Sequence, residues 1–290
     1  MDNIENPKGI PNNLESKEYL EGLVIAALER ALGIHDNLGV SGEETVEKNQ
    51  FGDTALRVDV ECEEAVLNFL KEKNFPIRVI SEEHGTVDIS SNPRYLGILD
   101  GLDGSGVYKK ERGVGRYGTM FAIFSNTNPV YGDYATSGIM EHTSKRLFFA
   151  TKGGGAFIKE AGKTVPIHSS GKKTVGAETR AGIDEYFEIN RRVFSEKLKG
   201  IQTNFGGASC IYYADVACGR ADLALECTRK NNLEIAVAYG LISEAGGVIV
   251  DLSGETIGDK KYLEFGQEDK LPIVTAATRE LALSLISHIK

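Results

Sequence analysis

The sequence predicts a layered α/β (α+β) protein in two parts, a largely antiparallel sheet half followed by an α/β half. Three observations carry this. From Tyr117 to Ala177, short β-type runs (Thr119–Phe124, Val130–Ala135, Leu147–Ala150, Ala156–Ile158) are separated by Gly, Pro, Asn and Ser, and strands joined by short links pair antiparallel. After about Gly171, helix and strand patterns alternate. Ahead of both, the apolar run Tyr95, Leu96, Ile98, Leu99 reads as a buried strand. The division is placed between an N-terminal part, 1–170, which carries the first acidic motifs, and a C-terminal part, 171–290.

In chain order, residues 1–15 are polar and read as a loose arm. Ser16 caps a helix over Lys17–Leu32, with Leu20, Leu23, Val24, Ala27, Leu28 and Ala31 on one face and Gly33 as its stop. Gly39–Gly52 reads as a polar, mobile loop. Asp59 begins the next helix and has the form of an N-cap; Cys62, Ala65, Val66, Phe69 and Leu70 follow at 3–4 spacing. The later part predicts helices Asp184–Lys199, Ala208–Cys218, Leu233–Ala245 and Arg279–Ile289. Between them fall strands Ile201–Asn204, Asp222–Cys227, Val248–Asp251 and Ile273–Ala276.

Composition narrows the function classes. The formal net charge of −9 makes nucleic acid and anionic membranes poor partners. No apolar run reaches the roughly 20 residues of a membrane helix, and the N-terminus lacks the build of a signal peptide, so a cytoplasmic protein is expected. The cysteines, Cys62, Cys210, Cys218 and Cys227, show no Cys-x-x-Cys spacing and read as reduced thiols.

The chemistry concentrates where the apolar run ends, in Asp100-Gly101-Leu102-Asp103-Gly104-Ser105-Gly106. Glycines allow tight turns and a close approach of backbone to ligand. Two carboxylates three residues apart at a strand end can converge on one hard cation such as Mg²⁺. A second acidic cluster, Ser81-Glu82-Glu83-His84, ends the preceding strand pattern. Together they read as a metal and phosphate site. An acidic enzyme can bind a phosphorylated substrate when metal ions bring the positive charge.

These stretches resemble the inositol monophosphatase family. Its signature is Gly-Glu-Glu, then Asp-Pro-x-Asp-Gly-Thr/Ser; here Ser81-Glu82-Glu83 precedes Asp100-x-x-Asp103-Gly104-Ser105. The family's Trp-Asp-x-Ala and Glu-Ala-Gly-Gly are matched by Leu233-Glu234-Ile235-Ala236 and Glu244-Ala245-Gly246-Gly247, and its Gly-x-Gly-Ala-Phe by Gly153-Gly154-Gly155-Ala156-Phe157. The resemblance runs from about Leu14 to the end. It implies the sugar-phosphatase fold, layered α–β–α–β–α, and a Mg²⁺-dependent phosphomonoesterase acting on a small polyol or sugar phosphate of the inositol monophosphate or fructose 1,6-bisphosphate type.

By the same resemblance, Glu82, Asp100 and the Leu102 carbonyl hold a first ion, and Asp100, Asp103 and Glu234 a second. Asp59 lies beside them and helps a weakly held third. Ser105, with Glu82, positions and deprotonates the attacking water. The N–H groups of Gly104 and Ser105 face the phosphate, and Ser209 and Glu226 meet the substrate's hydroxyls. Glu83 stands behind the ligands, Lys48 matches a basic loop position, and a homodimer is implied.

The departures are equally specific. Gly101 replaces a proline, which loosens the turn. Gly106-Val107 replaces Thr-Asn, and the loop between Glu226 and Glu234 is one residue longer. Glu234 replaces an aspartate and also reads as part of a capping box, Asn231-x-x-Glu234.

Two further enzyme readings and one non-enzyme reading stand beside this. A haloacid-dehalogenase-type phosphatase needs its aspartates two apart on the first strand of the chain. A 3′-phosphoadenosine 5′-phosphate nucleotidase shares the scaffold but is disfavoured by the short chain. A family member impaired by the change at 234 would serve as a binding or regulatory protein.

Overall fold

The computed structural model describes residues 16–48, 54–198, 200–204, 207–229, 231–267 and 270–289. The expected N-terminal arm, and the end of the Gly39–Gly52 loop from residue 49 onward, lie outside the described residues.

The first half comprises α1 (Lys17–Leu38), β1 (Thr45–Lys48), β2 (Thr54–Leu56), α2 (Arg57–Glu72), β3 (Ile77–Ser81), β4 (Gly85–Asp88), β5 (Tyr95–Asp103) and α3 (Ser105–Glu111). It continues with β6 (Gly118–Phe124), β7 (Tyr134–Glu141), β8 (Arg146–Thr151), β9 (Gly155–Glu160) and β10 (Lys163–Ile167). The second half comprises β11 (Arg180–Ile183), α4 (Glu188–Asn190), β12 (Gln202–Asn204), α5 (Ser209–Ala217), β13 (Leu223–Cys227), α6 (Leu233–Glu244), β14 (Val248–Asp251), β15 (Pro272–Ala276) and α7 (Arg279–Ile289).

Strands β10-β9-β8-β7-β6-β5-β3-β4 form one eight-stranded sheet, antiparallel except for the parallel β3–β5 pair. A second sheet, β12-β11-β13-β15-β14, is mixed. Helices α1 and α2 cover one face of the large sheet. Helices α5 and α6 pack between the sheets, and α4 and α7 close the far side. The five layers are thus α–β–α–β–α, as expected. Each layer is amphipathic or doubly buried: β6 and β8 are buried along their length, as strands covered on both faces must be. The apolar residues of α5 and α6 belong to the same buried cluster as the large sheet, while α7 packs with the small one. Among the described residues no helix is long and apolar enough to cross a membrane.

Several local expectations need correction. The Ser16 cap holds, its hydroxyl accepting from the Tyr19 N–H at 3.2 Å, but Gly33 does not stop α1. The helix runs on to Leu38 because its last turn is anchored: the His35 ring sits against Tyr108, Tyr117 and His142. That packing outweighs the roughly 1 kcal/mol a helical glycine costs.

The strand expected at Val130–Ala135 is a turn followed by β7, because Asp133 Oδ2 accepts from the Val130 N–H and from Asn126 Nδ2. The helix expected over Asp184–Lys199 reduces to α4 and one wide turn, Arg191–Ser195. Here Asp184 accepts from the Tyr186 N–H at 3.1 Å and Asn190 ties the segment to β13 by accepting from the Cys227 N–H at 2.8 Å. Those bonds compete with a regular helix.

Candidate active site

The site lies where β3, β5, α2, α5 and α6 meet. In a regular strand, residues three apart face opposite sides. Strand β5 escapes this through a bulge: Asp100 pairs with Met120 but Asp103 pairs with Gly118, so three steps on β5 answer two on β6. The extra residue re-aims the strand end. Asp100 and Asp103 then converge on Glu234, in the first turn of α6, with one carboxylate oxygen from each residue within 4.8 Å of the others.

Backbone donors hold this arrangement. Asp100 Oδ1 accepts from the Leu102 N–H at 3.0 Å, and Asp103 Oδ2 from the Cys210 N–H of α5 at 2.5 Å. Gly104, at φ +100°, turns the chain into α3; a Cβ there would lie 2.6 Å from the Ala208 Cβ, so the turn needs glycine.

The electrostatics are those of crowded, desolvated carboxylates. Burial, then the charge of Glu82 and Asp103, pushes the Asp100 carboxyl well above its usual range. Glu82 is raised likewise by burial and by the charge of Glu234. Asp103 is pushed up to about 7 by burial and Glu234, against the opposing charge of Arg229. A divalent cation would relieve this repulsion, and an all-oxygen donor set suits hard ions such as Mg²⁺. The residues present fit a metal.

Asp59 is not the N-cap of α2. It is the third residue of the helix, and its Oδ2 accepts from the Leu56 N–H at 2.7 Å. Its Oδ1 accepts from Ser105 Oγ at 2.9 Å, the single hydroxyl proton being shared with the more distant Leu102 carbonyl at 3.2 Å. Burial pushes the Asp59 carboxyl up to about 7. Glu234 is not part of a capping box either. Asn232 precedes α6 at φ +45° with no side-chain cap bond, and the Glu234 carboxylate instead accepts from the Arg229 guanidinium.

Ser209 and Glu226 line one cleft with Asp184, Tyr212 and Tyr213. Ser209 Oγ donates to Asp184 at 3.2 Å, and Glu226 accepts from the Tyr213 hydroxyl. Burial pushes Glu226 up to about 8.

Two site residues escaped the sequence reading. Glu63, on α2 and fully buried, accepts the N–H groups of Glu82 at 2.9 Å and of Glu83 and His84 at 3.1 Å. It also bonds the His84 ring at 2.8 Å, so His84 serves this brace. Its position one turn beyond Asp59 was the available signal. The other is Arg229, the guanidinium among the acidic side chains of the cleft.

Comparison with known proteins places the chain in a family and supports the fold. The family profile described as "Inositol monophosphatase family" matches residues 17–289. An inositol monophosphatase from Mesembryanthemum crystallinum is 25% identical over 255 residues, covering 84% of this chain and 88% of its own. A fructose-1,6-bisphosphatase/inositol-1-monophosphatase from Methanothermobacter thermautotrophicus is also 25% identical, over 74% of this chain and 77% of its own. Among solved structures, extragenic suppressor protein suhB from Bartonella henselae superposes with a TM-score of 0.73 at 18% identity, over 93% of this chain and 97% of that one. The fold, the converging carboxylates and a profile match across nearly the whole chain lead to one assignment: this protein belongs to the inositol monophosphatase family of phosphatases.

Proposed function

We propose that the chain is a Mg²⁺-dependent phosphomonoesterase whose substrate is a small polyol or sugar phosphate, of the inositol monophosphate or fructose 1,6-bisphosphate type. The observation that carries the reading is the convergence of Asp100, Asp103 and Glu234 beside the Ser105–Asp59 pair. The relative that joins fructose-1,6-bisphosphatase and inositol-1-monophosphatase names supports the substrate class.

In this reading Asp100, Asp103 and Glu234 hold one divalent cation, and Glu82, Asp100 and the Leu102 carbonyl another. When bound, such a pair supplies positive charge to the phosphate oxygens and to the departing alkoxide. The chain's own residues do the rest. Ser105 Oγ donates to Asp59 and so turns its lone pairs toward an attacking water. With Glu82 it positions that water, and the ionised carboxylate of Asp59, whose pKa burial raises to about 7, is the proton's destination. The N–H groups of Gly104 and Ser105 meet the phosphate, and Ser209 and Glu226 the substrate's hydroxyls. We extend the proposal to a cytoplasmic homodimer, on family resemblance; sedimentation as a 31.5 kDa monomer at micromolar concentration would refute the dimer.

The test is phosphate release from a panel including inositol 1-phosphate, fructose 1,6-bisphosphate, 3′-phosphoadenosine 5′-phosphate and NADP, with Mg²⁺ and with excess chelator. Release from a sugar or polyol ester that stops in chelator supports the reading. Full activity in chelator, or preference for a nucleotide, overturns it.

A further inference from the structure

Arg229 stands where a cation matters most. The turn that carries it folds back through Asn231 and Asn232, both at positive φ, which asparagine tolerates better than most residues. Its backbone N–H donates to Asn232 Oδ1 at 2.9 Å. The guanidinium lies 4.4 Å over the Phe187 ring and faces three carboxylates: Glu234 through one direct hydrogen bond, Glu226 at 3.4 Å and Asp184 at 3.9 Å. Its charge also reaches Asp103. A fork of five N–H donors, stacked on an aromatic face, is a well-organised partner for carboxylate.

Glu234 is thus claimed twice. One oxygen belongs to the triad with Asp100 and Asp103, and the carboxylate is held by Arg229. From the first turn of α6 the Glu234 side chain reaches Arg229 as well as the two aspartates. We infer that Arg229 competes with the second divalent cation for Glu234, so that this chain holds its second ion weakly by construction and gives Arg229 to Glu226 and Asp184 when the ion binds. The inference rests on the reading of the carboxylate triad as a metal site.

The experiment uses Mn²⁺ as the probe, counting free ion by electron paramagnetic resonance as the full-length protein is titrated. Wild type is expected to show a tighter and a weaker class of site. Arg229→Gln should strengthen the weaker class about tenfold, the equivalent of one charge-assisted pair, and leave the tighter class alone. In a Glu234→Gln background the same change should have a clearly smaller effect, because most of the coupling passes through Glu234 and only the charge felt at Asp103 remains. Arg229→Lys, which keeps the charge and loses the fork, should lie between wild type and Arg229→Gln, and it serves if the glutamine variant fails to fold. An unchanged or weakened second class in Arg229→Gln overturns the inference while leaving the metal reading standing. So does an equal strengthening in the Glu234→Gln background. Absence of Mn²⁺ binding to every form removes both together.

Discussion

Ser105 and Asp59, 46 residues apart, meet through a hydrogen bond of 2.9 Å from Ser105 Oγ to Asp59 Oδ1. The bond joins the first turn of α3 to the first turn of α2. It gives a buried carboxylate its second donor and fixes the hydroxyl's direction, so one contact serves both stability and chemistry.

Replacing Ser105 with alanine leaves an oxygen of Asp59, 3% exposed, without that donor. Urea unfolding should show a loss of about 1–3 kcal/mol. Turnover should fall by a factor on the order of 10²–10⁴. Ser105→Thr restores the hydroxyl and should recover most of both. An alanine variant with normal turnover would sink the proposed role.

Asp103→Asn separates charge from shape. The amide oxygen still accepts the Cys210 N–H, so the fold should persist. With chelator at pH 8 the variant should melt higher than wild type, since repulsion with Glu234 is gone. Phosphate release in Mg²⁺ should nonetheless drop by at least about a hundredfold, as loss of a charged ligand demands. Retention of most activity would show that Asp103 only shapes the turn.

Gly101 offers a test against the family pattern. The expectation that glycine here merely loosens the turn is incomplete. A Cβ at Gly101 would lie 2.3 Å from the Asp59 carbonyl oxygen and 2.7 Å from Glu63 Cγ, so α2 lies directly against β5. Gly101→Pro, the family residue, should therefore destabilise by about 1–3 kcal/mol or more, and Gly101→Ala should do likewise. A raised melting temperature in either variant would contradict this packing.

Stability without metal should fall as pH rises from about 5 to 8. Asp59 and Asp103 titrate near 7 and Glu226 near 8 in the folded protein. Unfolded carboxyls titrate near 4. Between those limits the folded state binds more protons than the unfolded one, so each step up in pH favours unfolding. Carboxylates held low by partners, such as Glu141 and Asp222, act below this window and in the opposite sense. Thermal melts in chelator should decline across pH 5–8, and saturating Mg²⁺ should flatten the decline. A rise with pH in chelator would count against the buried cluster.

The elements legible in the sequence were those whose signal is local. Asp100, Asp103 and Ser105 share one short segment, and α2, α6 and α7 follow helical spacing. What escaped is set by tertiary partners. Glu63 reads as an acid on a helix surface until three N–H groups from the turn between β3 and β4 converge on it. Arg229 has no periodicity to mark it. Asp184 carries a helix-start pattern, yet its carboxylate is taken by Ser209 and faces Arg229. Strand β10 is mostly exposed and contains Pro166, so its pattern is weak. The bulge in β5 is invisible in a single chain, because it is defined by the register of β6.

Glu244 closes a different kind of loop. Its carboxylate accepts the N–H groups of Gly153 at 2.7 Å and Gly155 at 2.8 Å and the hydroxyl of Tyr134 at 2.7 Å. The turn between β8 and β9 is therefore fastened by a residue 89 positions downstream of Gly155. On the ribosome, synthesis at about 5–20 residues per second leaves that turn without its clasp for roughly 5 to 20 seconds. When the sheet's last strand is made this turn is still unclasped, and its fastening arrives only with α6. A translational pause placed between these segments would prolong that open interval, and a newborn chain would be most vulnerable to proteolysis at Gly153–Gly155 during it.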